Sequence, residues 1–366
     1  MQQRNYPLPA KNKMDYIIRT INNQGVGVDL VSCASADNTN FECQKNKRLE
    51  EGMNSLTLFR SIGGKNKFYV LLDLILIRVQ LVLYLLFRVR SGEEVIVYHS
   101  MGYAYILYLV GKLKKIRYIG EIEELYQDVS KKSEWSQRAE HKFIDYCKKY
   151  IFPTQLLNER VNKDNKPYCI VHGIYKMEPQ LGMGLFDDNL IHIVYGGTLD
   201  PRKGSVDAIK AAQHLPSNYH LHILGFGSPQ QIEIVKRAIA ETKEDNCAKV
   251  SYEGVKEGKE FIAFLQNCKI GLATQDPQAS FTSTSFPSKV LTYLSNGLRV
   301  VSIDIPSIRN SSVSELISFY DSQDEKSIAK AIMEVCIEKD GYMENARILN
   351  GLDKSFAKEI GQILAL

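Results

Sequence analysis

Two hydrophobic periods alternate along this chain. Met14, Ile17, Ile18 and Ile21 fall at i, i+3, i+4 and i+7, which predicts a helix over Asn12 to Asn23, ended by Gly25. Short β-branched runs predict strands at Val28–Ser32, Ser55–Phe59, Val95–Tyr98, Arg117–Ile122, Ile151–Phe152 and Tyr168–Val171. Helical stretches at Tyr69–Phe87, Ala104–Lys114 and Trp135–Tyr150 lie between them. After a Gly- and Met-containing connector over residues 175–190 the pattern restarts. Strands are expected at Ile191–Tyr195, His220–Leu224, Lys249–Tyr252, Ile270–Ala273 and Val300–Ile303, with helices between and a helical tail over Ser327–Glu338 and Tyr342–Leu366. Such alternation predicts an α/β protein with doubly wound parallel sheets covered on both faces. The first half lacks the strand that ordinarily opens a doubly wound domain, through a truncated or misassigned start or a different topology, of which truncation is the favoured reading.

Length and composition narrow the class. A chain of 366 residues suggests two domains. The expected boundaries are 1–178, 179–340 and a terminal helix over 341–366. With 44% hydrophobic and 24% charged residues, the chain is neither disordered nor a disulfide scaffold. The net charge of +4 is too mild for a nucleic-acid binder, but residues 1–180 carry a net +8 and the remainder a net −4. The basic half suggests an anionic surface as partner. Lys112, Lys114, Lys115 and Arg117 follow a helix bearing Tyr103, Tyr105 and Tyr108, a pattern expected to favour peripheral binding to a membrane. The apolar run Tyr69–Phe87 is interrupted by Asp73, Arg78 and Gln80, with Asp73 and Gln80 on one helix face. It reads as a largely buried or interfacial helix rather than a membrane span. Seven dispersed cysteines without a CxxC pair, and an N-terminus without an apolar leader segment, point to a cytoplasmic protein.

Candidate chemistry gathers at strand-to-helix turns. In Ser283-Thr284-Ser285-Phe286-Pro287-Ser288-Lys289 the free amides of a helix start and a movable ammonium make an anion site. The loop Gly196 to Gly204 brings backbone and the cations Arg202 and Lys203 to a similar turn. Gly225-Phe226-Gly227 lacks the third glycine of a dinucleotide fingerprint, which argues against a hydride-transfer enzyme. In the first half His99 and Glu121 lie at carboxyl ends of strands, where a doubly wound fold binds its ligand. The histidines at 141, 172, 192, 214, 220 and 222 show no metal-ligand spacing and are expected to be structural.

The ordered set Tyr195-Gly196-Gly197-Thr198-Leu199, Lys203-Gly204, Leu224-Gly225-Phe226-Gly227, Tyr252-Glu253-Gly254-Val255 and Phe286-Pro287-Ser288-Lys289 through Gly297 resembles the donor domain of GT-B glycosyltransferases, in particular the retaining family 4 enzymes. The segment Glu121 to Tyr126 resembles their variable acceptor side. The resemblance implies two Rossmann-like domains facing a cleft and a last helix crossing back to the first. It also implies a nucleotide-sugar donor, UDP-linked by family habit, and no cofactor or obligatory metal. By the same resemblance Lys203, Lys289 and the backbone of the turn Ser285, Phe286, Pro287 and Ser288 would serve the diphosphate, and Gly197 and Gly225 would line the donor site. Val255 would serve the base, Thr292 the ribose, and His99 and Glu121 the donor sugar or acceptor. Three positions depart from the family pattern. Thr198 stands where an arginine is common, with Arg202 as its substitute, and Thr284 and Thr292 stand near the paired glutamates. The implied activity is hexosyl transfer in bacterial surface-polysaccharide assembly at the inner membrane face, onto a saccharide or lipid-linked acceptor. The departures suggest an alternative, a non-catalytic GT-B-like partner subunit that binds nucleotide or glycan.

Overall fold

The computed structural model describes residues 4, 8–36, 47–62, 66–98, 100–129, 132–242, 246–337 and 341–365. The chain divides into one unit of residues 1–152, 158–171 and 356–366, and a second of 153–157 and 172–355.

The first unit holds α1 (Leu8–Asn22), β1 (Asp29–Ser32), β2 (Lys47–Glu51), β3 (Asn54–Leu58), α2 (Lys67–Phe87), β4 (Glu94–Tyr98) and α3 (Ala104–Lys114). There follow β5 (Arg117–Glu121), α4 (Tyr126–Val129), α5 (Glu134–Tyr146), β6 (Lys149–Phe152), part of α6 (Gln155–Val161) and β7 (Tyr168–Ile170). Strands β4-β5-β6-β7 form a parallel sheet. The first three strands stand apart from it as a separate sheet, β1-β3-β2, in which β2 runs antiparallel to β3. The sequence reading missed β2 because Leu49 is the lone apolar residue in Lys47-Arg48-Leu49-Glu50-Glu51. The helix expected to reach Tyr150 ends at Tyr146, since Cys147 takes ψ of 143° and the chain turns into β6.

Of the two readings of this run, largely buried or interfacial, helix α2 rules against the first by its burial. It buries one stripe, Asp73, Ile77, Leu81 and Leu85, and exposes Phe68, Leu71, Leu74, Ile75, Val79, Leu83 and Phe87. It is not largely buried. Its polar interruptions bind the segment after β3. Asp73 accepts from Ser61 Oγ and the Ile62 amide at 2.7 Å each, and Gln80 exchanges hydrogen bonds with the Arg60 backbone. Asp73 and Gln80 thus share a face, and the rest of the apolar surface is left to solvent. By length and composition alone α2 is long and apolar enough to cross a membrane.

The second unit is built on six parallel strands: β8 (Ile191–Thr198), β9 (Tyr219–Phe226), β10 (Lys249–Gly254), β11 (Ile270–Ala273), β12 (Arg299–Ile303) and β13 (Ile317–Tyr320). Their spatial order, β10-β9-β8-β11-β12-β13, is the doubly wound order, and it reverses direction between β8 and β11. Between the strands run α7 (Ser205–Ala212), α8 (Pro229–Glu241), α9 (Gly258–Gln266), α10 (Ser288–Ser295), α11 (Pro306–Arg309) and α12 (Glu325–Met333). Near-continuous apolar runs such as Ile193-Val194-Tyr195 are what strands covered on both faces require. The closing helix α13 (Gly341–Leu364) belongs to the first unit from Phe356 onward, where Phe356 stacks on Tyr16 at 5.5 Å.

Candidate functional site

The switch between β8 and β11 is where this topology opens a crevice at the carboxyl ends of its strands. Tyr293 of α10 marks it. Its hydroxyl accepts from the Gly196 amide at 2.7 Å and lies 3.4 Å from the Leu272 carbonyl, so it ties α10 to both strands. That anchoring fixes Lys289 one turn earlier. The Lys289 ammonium lies 3.8 Å from the centre of the Tyr195 ring, screened from solvent and without a hydrogen-bond partner. A Cβ at Gly197 would stand 3.7 Å from this nitrogen, so the glycine leaves backbone and ammonium facing one space. Burial, reinforced by the charge of Lys203, lowers the Lys289 pKa to about 7.

Lys203 ends a short turn, Pro201–Lys203, capped by Asp200. Its ammonium sits 4.0 Å from the Phe281 ring centre, and its carbonyl accepts from Tyr195 Oη at 2.9 Å. Tyr195 therefore supports one lysine with its ring and the other's backbone with its hydroxyl. Two glycines make this packing possible. A Cβ on Gly204, at φ of 78°, would lie 1.6 Å from the Thr274 carbonyl oxygen, and one on Gly225 would lie 1.9 Å from that of Gly197. Arg202 is held by Asp200 through two contacts, Nε to Oδ1 at 3.1 Å and Nη2 to Oδ2 at 2.7 Å.

The turn into α10 differs in detail from expectation. Pro287 is the N-cap residue rather than the first helical one, and no side chain caps the helix. The buried hydroxyls of Thr284 and Ser285, in the turn that leads to Lys289, have no partner. Ser288 is exposed, whereas Phe286 is buried and stacks on His172 at 4.8 Å, a packing role. Thr292 donates its hydroxyl to the Ser288 carbonyl at 3.1 Å. Thr198 closes β8, exposed, with its carbonyl 3.3 Å from Tyr195 Oη. Val255 is exposed just beyond β10.

In the first unit Glu121 ends β5, fully buried, 2.9 Å from Lys13 Nζ. Lys13 also bonds Glu123. Burial, with the charge of Glu123 behind it, pushes the Glu121 pKa well up. Although burial opposes its charge, the two carboxylates hold the Lys13 ammonium above the usual lysine range. Sequence reasoning found Glu121 but missed Lys13, which sits 108 positions away on α1. Its only signal was a lysine on the buried face of that helix. His99 lies outside the described residues.

Of the histidines, His172 is structural. Its Nδ1 lies 2.6 Å from the Pro153 carbonyl, and Nε2 accepts from the Ser312 amide. His192, His220 and His222, by contrast, are brought together on one face of the sheet, buried, with one nitrogen of each within 4.8 Å of the others. The signal was legible as a His-x-His alternation on β9 with a third histidine in register on β8.

The sequence matches no protein-family model and no curated protein. Among solved structures the whole chain is similar to an apo structure of OtsA, at 13% identity and TM-score 0.66, covering 98% of this chain and 97% of that one. HepE of Anabaena in complex with UDP gives 12% identity and TM-score 0.66 over 99% and 98%. An α,α-trehalose-phosphate synthase (UDP-forming) from Burkholderia vietnamiensis gives 10% and 0.65 over 100% and 98%. These are GT-B structures, and the chain has the GT-B fold.

Proposed function

We propose that this protein is a glycosyltransferase that takes a sugar from a nucleotide-sugar, UDP-linked, and passes it to a saccharide or lipid-linked saccharide. The observation that carries the reading is Lys289. An ammonium without an acceptor, screened from water at the switch point of a doubly wound sheet and facing glycine backbone, is a site built for an anion supplied from outside. The diphosphate of a nucleotide-sugar fits it, and HepE was solved with UDP and with UDP-glucose.

In this reading Lys289 and Lys203 stabilise the leaving diphosphate, which gains charge as the bond from the sugar C1 breaks. With retention, the acceptor oxygen bonds to C1 on the face the diphosphate leaves, and its proton passes to a diphosphate oxygen. The amides of Phe286 and Ser288 would add donors, since Pro287 has no N–H and the Ser285 amide already donates to the Phe281 carbonyl at 2.9 Å. Val255 would meet the base through its backbone, and Thr292 the ribose. Arg202 would first have to leave Asp200. We place the activity in bacterial surface-polysaccharide assembly, at the cytoplasmic face of the membrane. The exposed apolar face of α2 and the exposed Lys112, Lys115 and Arg117 support that location.

Isothermal titration with UDP, followed by a turnover screen over a panel of nucleotide-sugars, tests the proposal. Absence of UDP binding by folded protein would overturn it. A second reading, a non-catalytic subunit, is favoured by Thr292, whose hydroxyl is spent on its own helix. Binding of UDP with no turnover across the panel would support it.

A further inference from the structure

Beyond the nucleotide site, we propose that His192, His220 and His222 form a binding site for a divalent d-block cation, with zinc as the probe. The residues meet because of register. His192 on β8 pairs with His220 on β9, and His222 follows two positions later on the same face. All three are nearly fully buried. Phe186 stacks on His192 at 3.8 Å and on His222 at 5.0 Å, while Phe264 meets His222 edge-on at 5.1 Å, so the walls are apolar. The site lies toward the amino ends of the strands, away from Lys289.

The neighbouring oxygens assign the outer N–H of each ring. Ser251 donates its hydroxyl to Glu253 at 2.6 Å, so at 2.8 Å it accepts from His220 Nε2. His222 Nδ1 lies 2.9 Å from Glu253, and His192 Nε2 lies 2.9 Å from Asp188. Each ring therefore spends one N–H on an oxygen and keeps a lone pair on the other nitrogen. Two of these lone pairs, on His192 Nδ1 and His222 Nε2, face each other at 2.9 Å. That distance is a hydrogen bond when one of the two rings carries a second proton, and a divalent cation in place of that proton would be held by both nitrogens. A carboxylate or hydroxyl behind each imidazole is the arrangement that orients metal-bound histidines. Neutral imidazoles suit zinc, copper or nickel, with zinc–nitrogen distances of about 2.0–2.1 Å. The carboxylates of Asp188 and Glu253 match the charge of a divalent ion. The rings hold a structural ion joining β8, β9 and the preceding connector, with no part in glycosyl transfer.

Chelator-treated protein should take up one zinc ion per chain in a titration with zinc chloride and melt at higher temperature with it. With cobalt(II) it should show the visible bands of nitrogen ligation. His222→Asn should abolish both. Should that variant fail to fold, Asp188→Asn leaves all three rings and is expected to weaken zinc binding roughly ten- to a hundredfold. Absence of zinc uptake by the parent, or uptake that both variants retain unchanged, overturns the assignment and leaves the trio as a hydrogen-bonded core.

Discussion

Lys289 rests its ammonium 3.8 Å from the centre of the Tyr195 ring and offers it to no acceptor. The ring compensates part of the lost hydration, since a cation over an aromatic face gains about 0.5–2 kcal/mol. It does not compensate all of it, because burial still lowers the pKa from 10.5 to about 7. Between these values the unfolded chain binds a proton that the folded chain has released. Stability therefore rises with pH from about 7 towards 10.5, and the cost of the buried charge is fully present below that window. Urea unfolding of the ligand-free protein at a series of pH values should show this slope, and Lys289→Met should flatten it. A parent profile no steeper than that of the variant would count against the buried ammonium.

If the proposed diphosphate site is right, the same group should make nucleotide binding consume protons. At pH 8 the free site is mostly neutral at Lys289, and a diphosphate favours the charged form. UDP binding should be accompanied by proton uptake, visible as a dependence of the calorimetric enthalpy on buffer ionisation heat. Affinity should fall as pH rises above about 7. Binding that is independent of buffer and of pH across this range would place the diphosphate elsewhere.

In the proposed site Lys203 would serve the same anion from a different setting, with its ammonium against Phe281. Losing one charge-assisted contact to a diphosphate costs roughly 1.5–3 kcal/mol, about ten- to a hundredfold in rate. Lys203→Ala should therefore lower turnover by that factor and leave Tm nearly unchanged. Wild-type rates would remove Lys203 from the site.

Lys13 is the counterpart in the first unit, where two acidic groups share one cation. Lys13→Met would leave Glu121 buried beside Glu123 with no positive partner. Removing one member of a buried ion pair costs roughly 3–5 kcal/mol, and denaturant unfolding should show a loss of that order. Glu121→Gln keeps the shape and an oxygen facing Lys13, and should be milder. If Glu121 contacts sugar or acceptor, the same variant should lower kcat beyond what its stability explains.

Five of the second unit's six strands were legible in the sequence because buried parallel strands such as Ile193-Val194-Tyr195 are apolar without alternation, and β9 runs into a glycine, Gly225, that the packing demands. Strand β13, whose Ile317-Ser318-Phe319-Tyr320 is only half-buried at its centre, was not expected. Lys203 and Lys289 were legible because both sit at strand-to-helix turns. Strand β2 was not, since an edge strand of four charged residues around Leu49 looks like a loop. Nor was the Lys13–Glu121 pair, which depends on how α1 meets β5 and has no local signature. The histidine trio lay between these cases. Each residue was visible, but their convergence depends on the register of β8 against β9.

Helix α2 leads to the last prediction. Its buried stripe is narrow, and its exposed residues Leu71, Leu74, Ile75, Val79 and Leu83 form a long apolar surface. Single exposed apolar residues are ordinary, whereas a continuous face marks an interaction surface. Helix α3 extends it with Tyr105, Leu109 and Leu113, and Trp135 packs against Tyr105 at 5.4 Å. Lys114 fastens the two helices by donating to the Leu86 carbonyl at 2.7 Å, while Lys112, Lys115 and Arg117 remain exposed. An apolar face with aromatic residues and a basic edge suits insertion at an anionic lipid surface, where each cation near the headgroups adds roughly 1 kcal/mol at low salt. The protein should float with anionic liposomes and be partly released by salt. Replacing Leu71, Leu74 and Ile75 together by serine should abolish flotation without lowering Tm, because these side chains lie outside the core. Lys112→Ala with Lys115→Ala should weaken flotation and its salt sensitivity. Equal recovery with neutral liposomes would remove the electrostatic part of this reading, and recovery unaffected by the serine variant would remove the helix.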